Sequence, residues 1–333
     1  MKRQEAFINQ KKMLKGGLHC HTTRSDGKGD PAEVIKLHKE NDYDFLALTD
    51  HKIYNNKNFA ENVDITIIPG TEYDNTFVRE NGFRTFHTVF IGPDDETNGY
   101  KQDERLPRGE AVNQEEFQKY LDEAHQKNNL TIYCHPQWSS TPTRYFDKLK
   151  GNFAFEIWNS GCAIEDDMDT DNGMYWDELL GMGIKIFGVA TDDGHEMYQH
   201  CKGWVMVNAE NNVKDILNSL EKGAFYSSCG PVIKDFYVDD ENIVHIETSE
   251  CERIIFQCDK HPSKMIEAEG ELLTEAQVNL KDEYEYIRAT IRKTIEDYSS
   301  DSKNFKGKED LFYSVHGMGR GTWGLRNIND PFD

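Results

Sequence analysis

Seven short apolar runs recur through the first two-thirds of the chain, and almost every one ends in a histidine or a carboxylate. They cover residues 14–18, 45–48, 65–69, 86–91, 130–134, 153–158 and 185–190. Several are continuously apolar rather than alternating, the pattern of parallel strands buried on both faces. Helix-like segments lie between them. In "DPAE", Asp30 takes a cap position, Pro31 the first helical position and Glu33 the place that closes a capping box. The segment 113–128 carries Phe117, Leu121 and Ala124 at spacings of four and three, which predicts one buried stripe on an acidic helix. The order predicts an α/β protein, either a (β/α) barrel or an open doubly wound sheet.

The texture changes after Gly203. "GWVMVN" predicts one more strand, 213–222 a helix, and "AFYSSCGP" closes the region. From Pro231 the runs "VIKDFYV", "NIVHIET", "RIIFQC", "YEYIRATIRK" and "GTWGLRNI" predict a small antiparallel β domain, with 296–310 an exposed loop. The expected division is 1–230 and 231–333.

The polar residues fall where the apolar runs stop. The first run leads into His19, His21 and, five residues on, Asp26. The second ends at Asp50 and His51, and the third at Glu72. The fourth contains His87, and the fifth ends at His135. Glu156 and Asn159 sit at the sixth, and Asp192, Asp193 and His195 at the seventh. On a parallel barrel such ends open onto one face. Imidazoles and carboxylates gathered there need compensating positive charge, and mixed nitrogen and oxygen donors suit zinc, manganese or iron. His19 and His21, two apart on a strand, point to one side, and Asp193 and His195 repeat that spacing. Asp50 is expected to orient His51 or a neighbouring ligand, and Asp192 to act behind the ligands or only in a turn. His38, His125, His200, His245, His261 and His316 have no such setting and are read as ordinary side chains.

The net charge of −22 disfavours long nucleic acid and anionic membrane as partners. No signal peptide or membrane span is visible, and the seven scattered cysteines form no C-x-x-C pair, so a cytoplasmic protein with reduced thiols is expected.

The ordered set "HCHTTRSDG", "TDH", "PGTE", His87, "CHP" and "TDDGH" resembles the motifs of the PHP (polymerase and histidinol phosphatase) family over roughly residues 15–231. The resemblance implies a metal-dependent phosphoesterase on a distorted seven-stranded (β/α) barrel, here of the two-domain bacterial type. It further implies a trinuclear centre of two to three divalent Mn, Fe or Zn ions. His19 and His21 would hold the first ion, with Glu72 bridging and Asp193 completing it. Asp26, His51 and His195 would hold the second, and Glu72, His87 and His135 the third. Because "TDDGH" has two aspartates, Asp192 competes with Asp193 for its role, and the D-x-H spacing favours Asp193. Catalysis would use a metal-bridging hydroxide and no protein nucleophile; Cys20, between two ligands, should point away from them.

The expected substrate is a small phosphoester, such as a phosphomonoester or nucleotide-like metabolite. Arg24 and Arg144 are candidates for its phosphate, unless Arg24 only caps its loop and Arg144 lies on a solvated helix face. Trp138 and Trp158 could stack on a base or sugar or serve as core, and Asn159 is a further candidate contact. The alternatives are an amidohydrolase-like enzyme acting on a carbon centre and a non-catalytic metal-containing binding module. A homo-oligomer is compatible with either.

Overall fold

Each of the seven apolar runs forms a strand. The computed structural model describes residues 4–5, 11–79, 82–95, 97–165, 172–259, 263–279, 284, 286–293 and 314–318. In chain order the front part comprises β1 (Gln4–Glu5), β2 (Met13–Gly17), α1 (Pro31–Glu40), β3 (Phe45–Ala47), β4 (Thr66–Ile68), β5 (Gly70–Arg79) and β6 (Gly82–Ile91). Then come α2 (Gln114–Gln126), β7 (Leu130–Tyr133), β8 (Asn152–Asn159), α3 (Ser160–Glu165), α4 (Gly173–Gly181), β9 (Phe187–Thr191), β10 (Trp204–Asn208), α5 (Val213–Glu221) and β11 (Phe225–Ser228). The rear part is all strand: β12 (Ile233–Val238), β13 (Ile243–Cys251), β14 (Arg253–Cys258), β15 (Lys264–Glu267), β16 (Leu273–Asn279), β17 (Ile287–Arg292) and β18 (Ser314–Met318). The expected strand at 321–328 and most of the expected loop at 296–310 lie outside the described residues.

Local rules account for the helices. Asp30 caps α1 and forms the expected box with Glu33, Pro31 opens the helix, and His38 and Lys39 occupy its last turn. Asn113 caps α2, which buries Phe117, Leu121 and Ala124.

The strands form three open sheets, in the orders β5-β6-β7-β8-β9, β15-β14-β17-β18-β11-β10-β2-β3-β4 and β1-β12-β13-β16. This is a mixed α/β fold, and among the described residues no sheet closes on itself. The uniformly parallel, helix-separated order expected above is corrected: no α-helix lies between β3 and β4 or between β7 and β8, β5 pairs antiparallel with β6 from Gly70↔Ile91 to Arg79↔Gly82, and β6 pairs antiparallel with β7. Two residues separate β5 from β6, whereas a parallel crossover needs about a dozen. Parallel pairing holds for β2–β3, β3–β4, β7–β8 and β8–β9.

Between the end of β4 and the start of β5 only Pro69 intervenes, so the chain passes from one large sheet to the other in a single step. The bridges His51↔Glu72 and Asn55↔Gly70 tie the two sheets there. At the far side Ser227 of β11 donates to Gly188 O (2.8 Å) and accepts from Ala190 N (3.0 Å) of β9. Leu14, Phe45, Ile68, Val89, Ile132, Val189 and Val205 fill the space between the sheets and form the floor beneath the strand ends. A second core, including Phe86, Phe117, Tyr133, Phe155 and Trp176, packs α2 and α4 on the outer face of the five-stranded sheet.

In the rear part, Phe236, Val244 and Ile246 pack against Ile254, Phe256, Ile287 and Ile291 in a two-sheet sandwich. Its strands continue the nine-stranded sheet through β18 and β11. Arg288 of β17 reaches α4, donating to Asp177 through Nε (2.7 Å) and Nη2 (2.6 Å), and Tyr286 Oη donates to the same carboxylate (3.1 Å). No helix among the described residues is long and apolar enough to cross a membrane.

Candidate metal centre

The strand ends and the loops that follow them place eight side chains around one buried carboxylate. Glu72 Oε2 lies 3.2 Å from His19 Nε2, 3.1 Å from His21 Nε2 and 3.2 Å from His51 Nδ1. Glu72 Oε1 lies 2.7 Å from His87 Nδ1 and 3.3 Å from His135 Nε2. Asp193 Oδ1 adds a second anionic oxygen, 3.1 Å from His19 Nε2 and 3.0 Å from His21 Nε2. His19, His21, Glu72 and Asp193 thus form one compact donor set, all buried.

The second set adjoins it and shares His21. Asp26 Oδ1 is 3.5 Å from His21 Nδ1 and from His195 Nε2, and Asp26 Oδ2 is 3.6 Å from His51 Nε2. Asp26 is exposed (55 %), so this side faces solvent while the Glu72 side does not. On the third side His87 and His135 meet edge to face, with ring centroids 4.9 Å apart, both against Glu72 Oε1.

The partners behind the imidazoles set which nitrogen carries a lone pair. His19 Nδ1 donates to Glu156 Oε1 at 2.6 Å, which leaves Nε2 bare toward Glu72 and Asp193. His195 Nδ1 donates to Asp193 O at 2.9 Å, leaving Nε2 toward Asp26. Asp193 Oδ1 is buried without a hydrogen-bond partner, although two imidazole nitrogens lie within hydrogen-bond distance. Imidazole nitrogens and carboxylate oxygens converging on one point fit a divalent ion of the zinc, manganese or iron kind that takes the place of the imidazole protons.

The backbone at the ligands is unusual. His135 has φ 26° and Asp193 φ 50°, left-handed values that non-glycine residues rarely adopt and that tend to mark functional positions. The 19–26 loop turns back sharply at Gly27, where a Cβ would sit 2.6 Å from the His21 backbone. Asp50 holds this loop: its carboxylate accepts from Thr22 N (2.9 Å), Ser25 N (3.1 Å) and Ser25 Oγ (2.9 Å). Ser25 Oγ also lies 3.1 Å from Asp26 Oδ1, so its single proton is shared between the two carboxylates and Asp50 positions Asp26 through the Ser25 backbone and hydroxyl.

The other expected residues fall around the centre rather than in it. The Asp192 carboxylate turns away and accepts from the amides of Cys201 (2.6 Å), Lys202 (2.9 Å) and Gly203 (2.7 Å). Asn159 is buried beneath the donors, its amide on Glu156 Oε2 and Asp193 Oδ2, both at 3.1 Å. Arg24 pairs with Asp103 and lies over Phe59, and the Arg144 guanidinium lies over the Tyr145 ring. Trp138, 43 % exposed, stands against His135 (4.9 Å) and His87 (5.5 Å) at the rim. Trp158 Nε1 donates to Ser160 Oγ (2.9 Å). Cys20 turns outward, its thiol toward Ala47 O.

Two carboxylates at the centre had no role assigned from sequence. Glu156 accepts from His19, from Thr191 Oγ1 (2.6 Å), from His135 N (3.0 Å) and from Asn159. Asp74 lies 3.2 Å from His51 Nδ1 and pairs with Lys52. Asp74 was legible as the residue two beyond Glu72 on one strand face. Glu156→Gln is expected to weaken metal binding by about 10- to 100-fold, the usual range for a partner one step behind the ion. A metal titration of the folded variant checks this, and wild-type affinity would refute the role.

Charge balance follows the same geometry. Burial pushes the Glu72 carboxyl up, but His51, His19 and His87 outweigh it and hold it well below the carboxylate range. Burial lowers His19, while Asp193, Glu72 and Glu156 overcome this and raise it. His195 is likewise lowered by burial yet held at about 9 by the hydrogen bond to Asp26 and the nearby Asp193. His21, His51 and His135 are raised in the same way, whereas burial wins for His87, which is lowered. Raised imidazoles hold protons to higher pH, so a cation must displace them. Metal affinity is therefore expected to rise with pH toward 9 and binding to release protons, seen calorimetrically as a heat that depends on the buffer's ionisation enthalpy. A buffer-independent heat would contradict this.

Fold and site together define a mixed α/β protein with a histidine–carboxylate centre suited to divalent metal. No family model and no curated protein matches the chain. Among solved structures, the chain is similar to a two-domain protein from Bacteroides vulgatus described as containing a PHP-like metal-dependent phosphoesterase. The TM-score is 0.45 at 15 % identity, covering 88 % of this chain and 94 % of the other. It is also similar to an amidohydrolase from Chromobacterium violaceum with bound sulfate and no metal (TM-score 0.38, 15 % identity, 54 % and 87 % covered). A third is a protein from Bifidobacterium adolescentis named as a metal-dependent phosphoesterase (TM-score 0.38, 13 % identity, 54 % and 87 % covered). The first of these names the family that the sequence motifs resemble.

Proposed function

We propose that the chain is a metal-dependent phosphoesterase that hydrolyses a small phosphorylated ester. The observation that carries this reading is the pair of adjacent donor sets sharing His21, one around Glu72 and Asp193 and one around Asp26. Neighbouring divalent ions recur in phosphoester hydrolases, where they activate water at neutral pH and clamp the attacking and leaving oxygens.

We assign His19, His21, Glu72 and Asp193 to the first ion and Asp26, His51 and His195 to the second. His87 and His135 with Glu72 would take a third. Glu156 keeps the His19 proton on Nδ1, and Asp50 holds the loop that presents Asp26. Trp138 stands at the rim of the His87–His135 side, where it could stack on a substrate's base or sugar. The two large sheets are read as halves of a distorted barrel within residues 1–230, with 231–333 as the rear β domain. Glu72, rather than a lysine, occupies the central position between the donor sets, which favours phosphorus over a carbon centre as the electrophile.

The test is elemental analysis together with turnover of p-nitrophenyl phosphate and p-nitrophenyl acetate in the presence of Mn²⁺. Two to three transition ions per chain and phosphate-ester turnover that is lost in His19→Ala are expected. A metal-free native protein, or turnover of the carboxylic ester alone, would overturn the reading.

A further inference from the structure

A second cluster of metal-type donors lies apart from the centre, on the other side of the Asp192–Asp193 step. His38 comes from the last turn of α1, Asp192 from the end of β9 and His200 from the loop before β10. All three are buried, with relative exposures of 1 %, 3 % and 2 %. One donor atom from each lies within 4.8 Å of the other two. The His38 and His200 rings meet edge to face at 5.3 Å, and His38 Nε2 is 4.0 Å from Asp192 Oδ2.

The hydrogen bonding of this cluster is incomplete. His38 Nδ1 donates to Val34 O at 2.8 Å, which fixes its proton and leaves Nε2 as a bare lone pair. That Nε2 has no partner, and neither ring nitrogen of His200 has one. Three imidazole nitrogens without partners in one buried spot call for an occupant. Burial keeps both rings neutral, His38 at about 4 and His200 well below its ordinary value, and a ligating imidazole must be neutral. Asp192 supplies the negative charge. Its carboxylate is held by three backbone amides, and Oδ2, engaged by the Cys201 amide, retains lone-pair capacity toward the rings. The neighbouring Lys15 ammonium is occupied elsewhere, donating to Asn41 O (3.0 Å) above the Trp204 and Tyr43 rings.

We propose that His38, Asp192 and His200 form a separate, buried site for one divalent ion of the zinc type, structural rather than catalytic. Two neutral imidazoles and one carboxylate are a known three-ligand zinc set, in which a water takes the fourth position. The ion would join α1 to the chain between Asp192 and His200, which also carries Asp193 and His195. His200 presses so closely on this segment that a Cβ at Gly194 would lie 2.4 Å from its Nδ1. Filling the site would thus stiffen the strand end that presents two ligands of the larger centre.

The test counts zinc by elemental analysis in protein stripped with chelator, reloaded with Zn²⁺ and dialysed. It compares wild type, His38→Gln, His200→Gln and His19→Ala. Loss of about one zinc per chain in each of the first two variants is expected, with p-nitrophenyl phosphate turnover retained. His19→Ala should lose ions from the other centre and keep this one, so failure here and failure of the proposed function are separable. Should the glutamine variants unfold, Co²⁺ titration of wild type and Glu72→Gln decides: a visible absorption band that survives in Glu72→Gln, where the larger centre is expected to be empty, supports the site. Wild-type zinc content in both glutamine variants, or a cobalt band wholly lost in Glu72→Gln, would mean that an ordered water satisfies these nitrogens and would overturn the proposal.

Discussion

Replacing Glu72 with glutamine is expected to empty the centre and reduce phosphate-ester turnover by more than about 100-fold, beyond the range for residues one step behind an ion. Its two oxygens face five imidazoles at 2.7–3.3 Å, and the side chain is 1 % exposed. The substitution removes the central negative charge and puts an amide N–H among nitrogens whose lone pairs converge there. The other buried anionic oxygen, Asp193 Oδ1, lies 3.1 Å from His19 and 3.0 Å from His21 and so stays on their side of the centre. Elemental analysis and turnover are the two readouts, with circular dichroism unchanged. A variant that keeps its metal would show that Glu72 is only a partner of protonated histidines.

The second large effect concerns stability. Asp177→Ala is expected to lower unfolding free energy by about 3 kcal/mol, the cost of leaving a buried ion-pair partner uncompensated. Arg288 is 5 % exposed, lies over the Trp176 ring (5.5 Å) and places both its Nε and Nη2 on Asp177. Tyr286 would lose its acceptor as well. The pair joins α4 of the front part to β17 of the rear, so its loss should loosen that contact and leave the metal count unchanged. Urea unfolding measures the change. A loss under about 1 kcal/mol would place the pair in the class of solvent-exposed bridges.

Much of the centre was legible because its residues stand at strand ends, where an apolar run stops and a ligand type begins. His19 and His21 share a face by the period of a strand, and the capping box at Asp30 and Glu33 is a purely local signal. The hairpin of β5 and β6 was less legible: its sequence is apolar in patches on both strands, and only the short connection, with no room for a helix, distinguishes it from two crossover-linked strands. Arg24 shows the other limit. Its place in the opening motif says nothing of Asp103, 79 residues away, with which it pairs. His38 and His200, unremarkable in sequence, become notable only because α1 and the loop after β9 bring them together.

The sequence by itself determined the kinds of donor, their order along the chain and the strand ends on which they stand, because periodicity and capping are properties of neighbours. Only the tertiary structure decided which carboxylate lies at the middle, that Glu156 holds His19, that Asp192 faces away from Asp193, and that the rear strands extend a front sheet. Those outcomes depend on distances of a few ångströms between residues far apart in the chain. Such distances are set by how sheets pack and where φ is forced positive, and no local pattern of residue types encodes them.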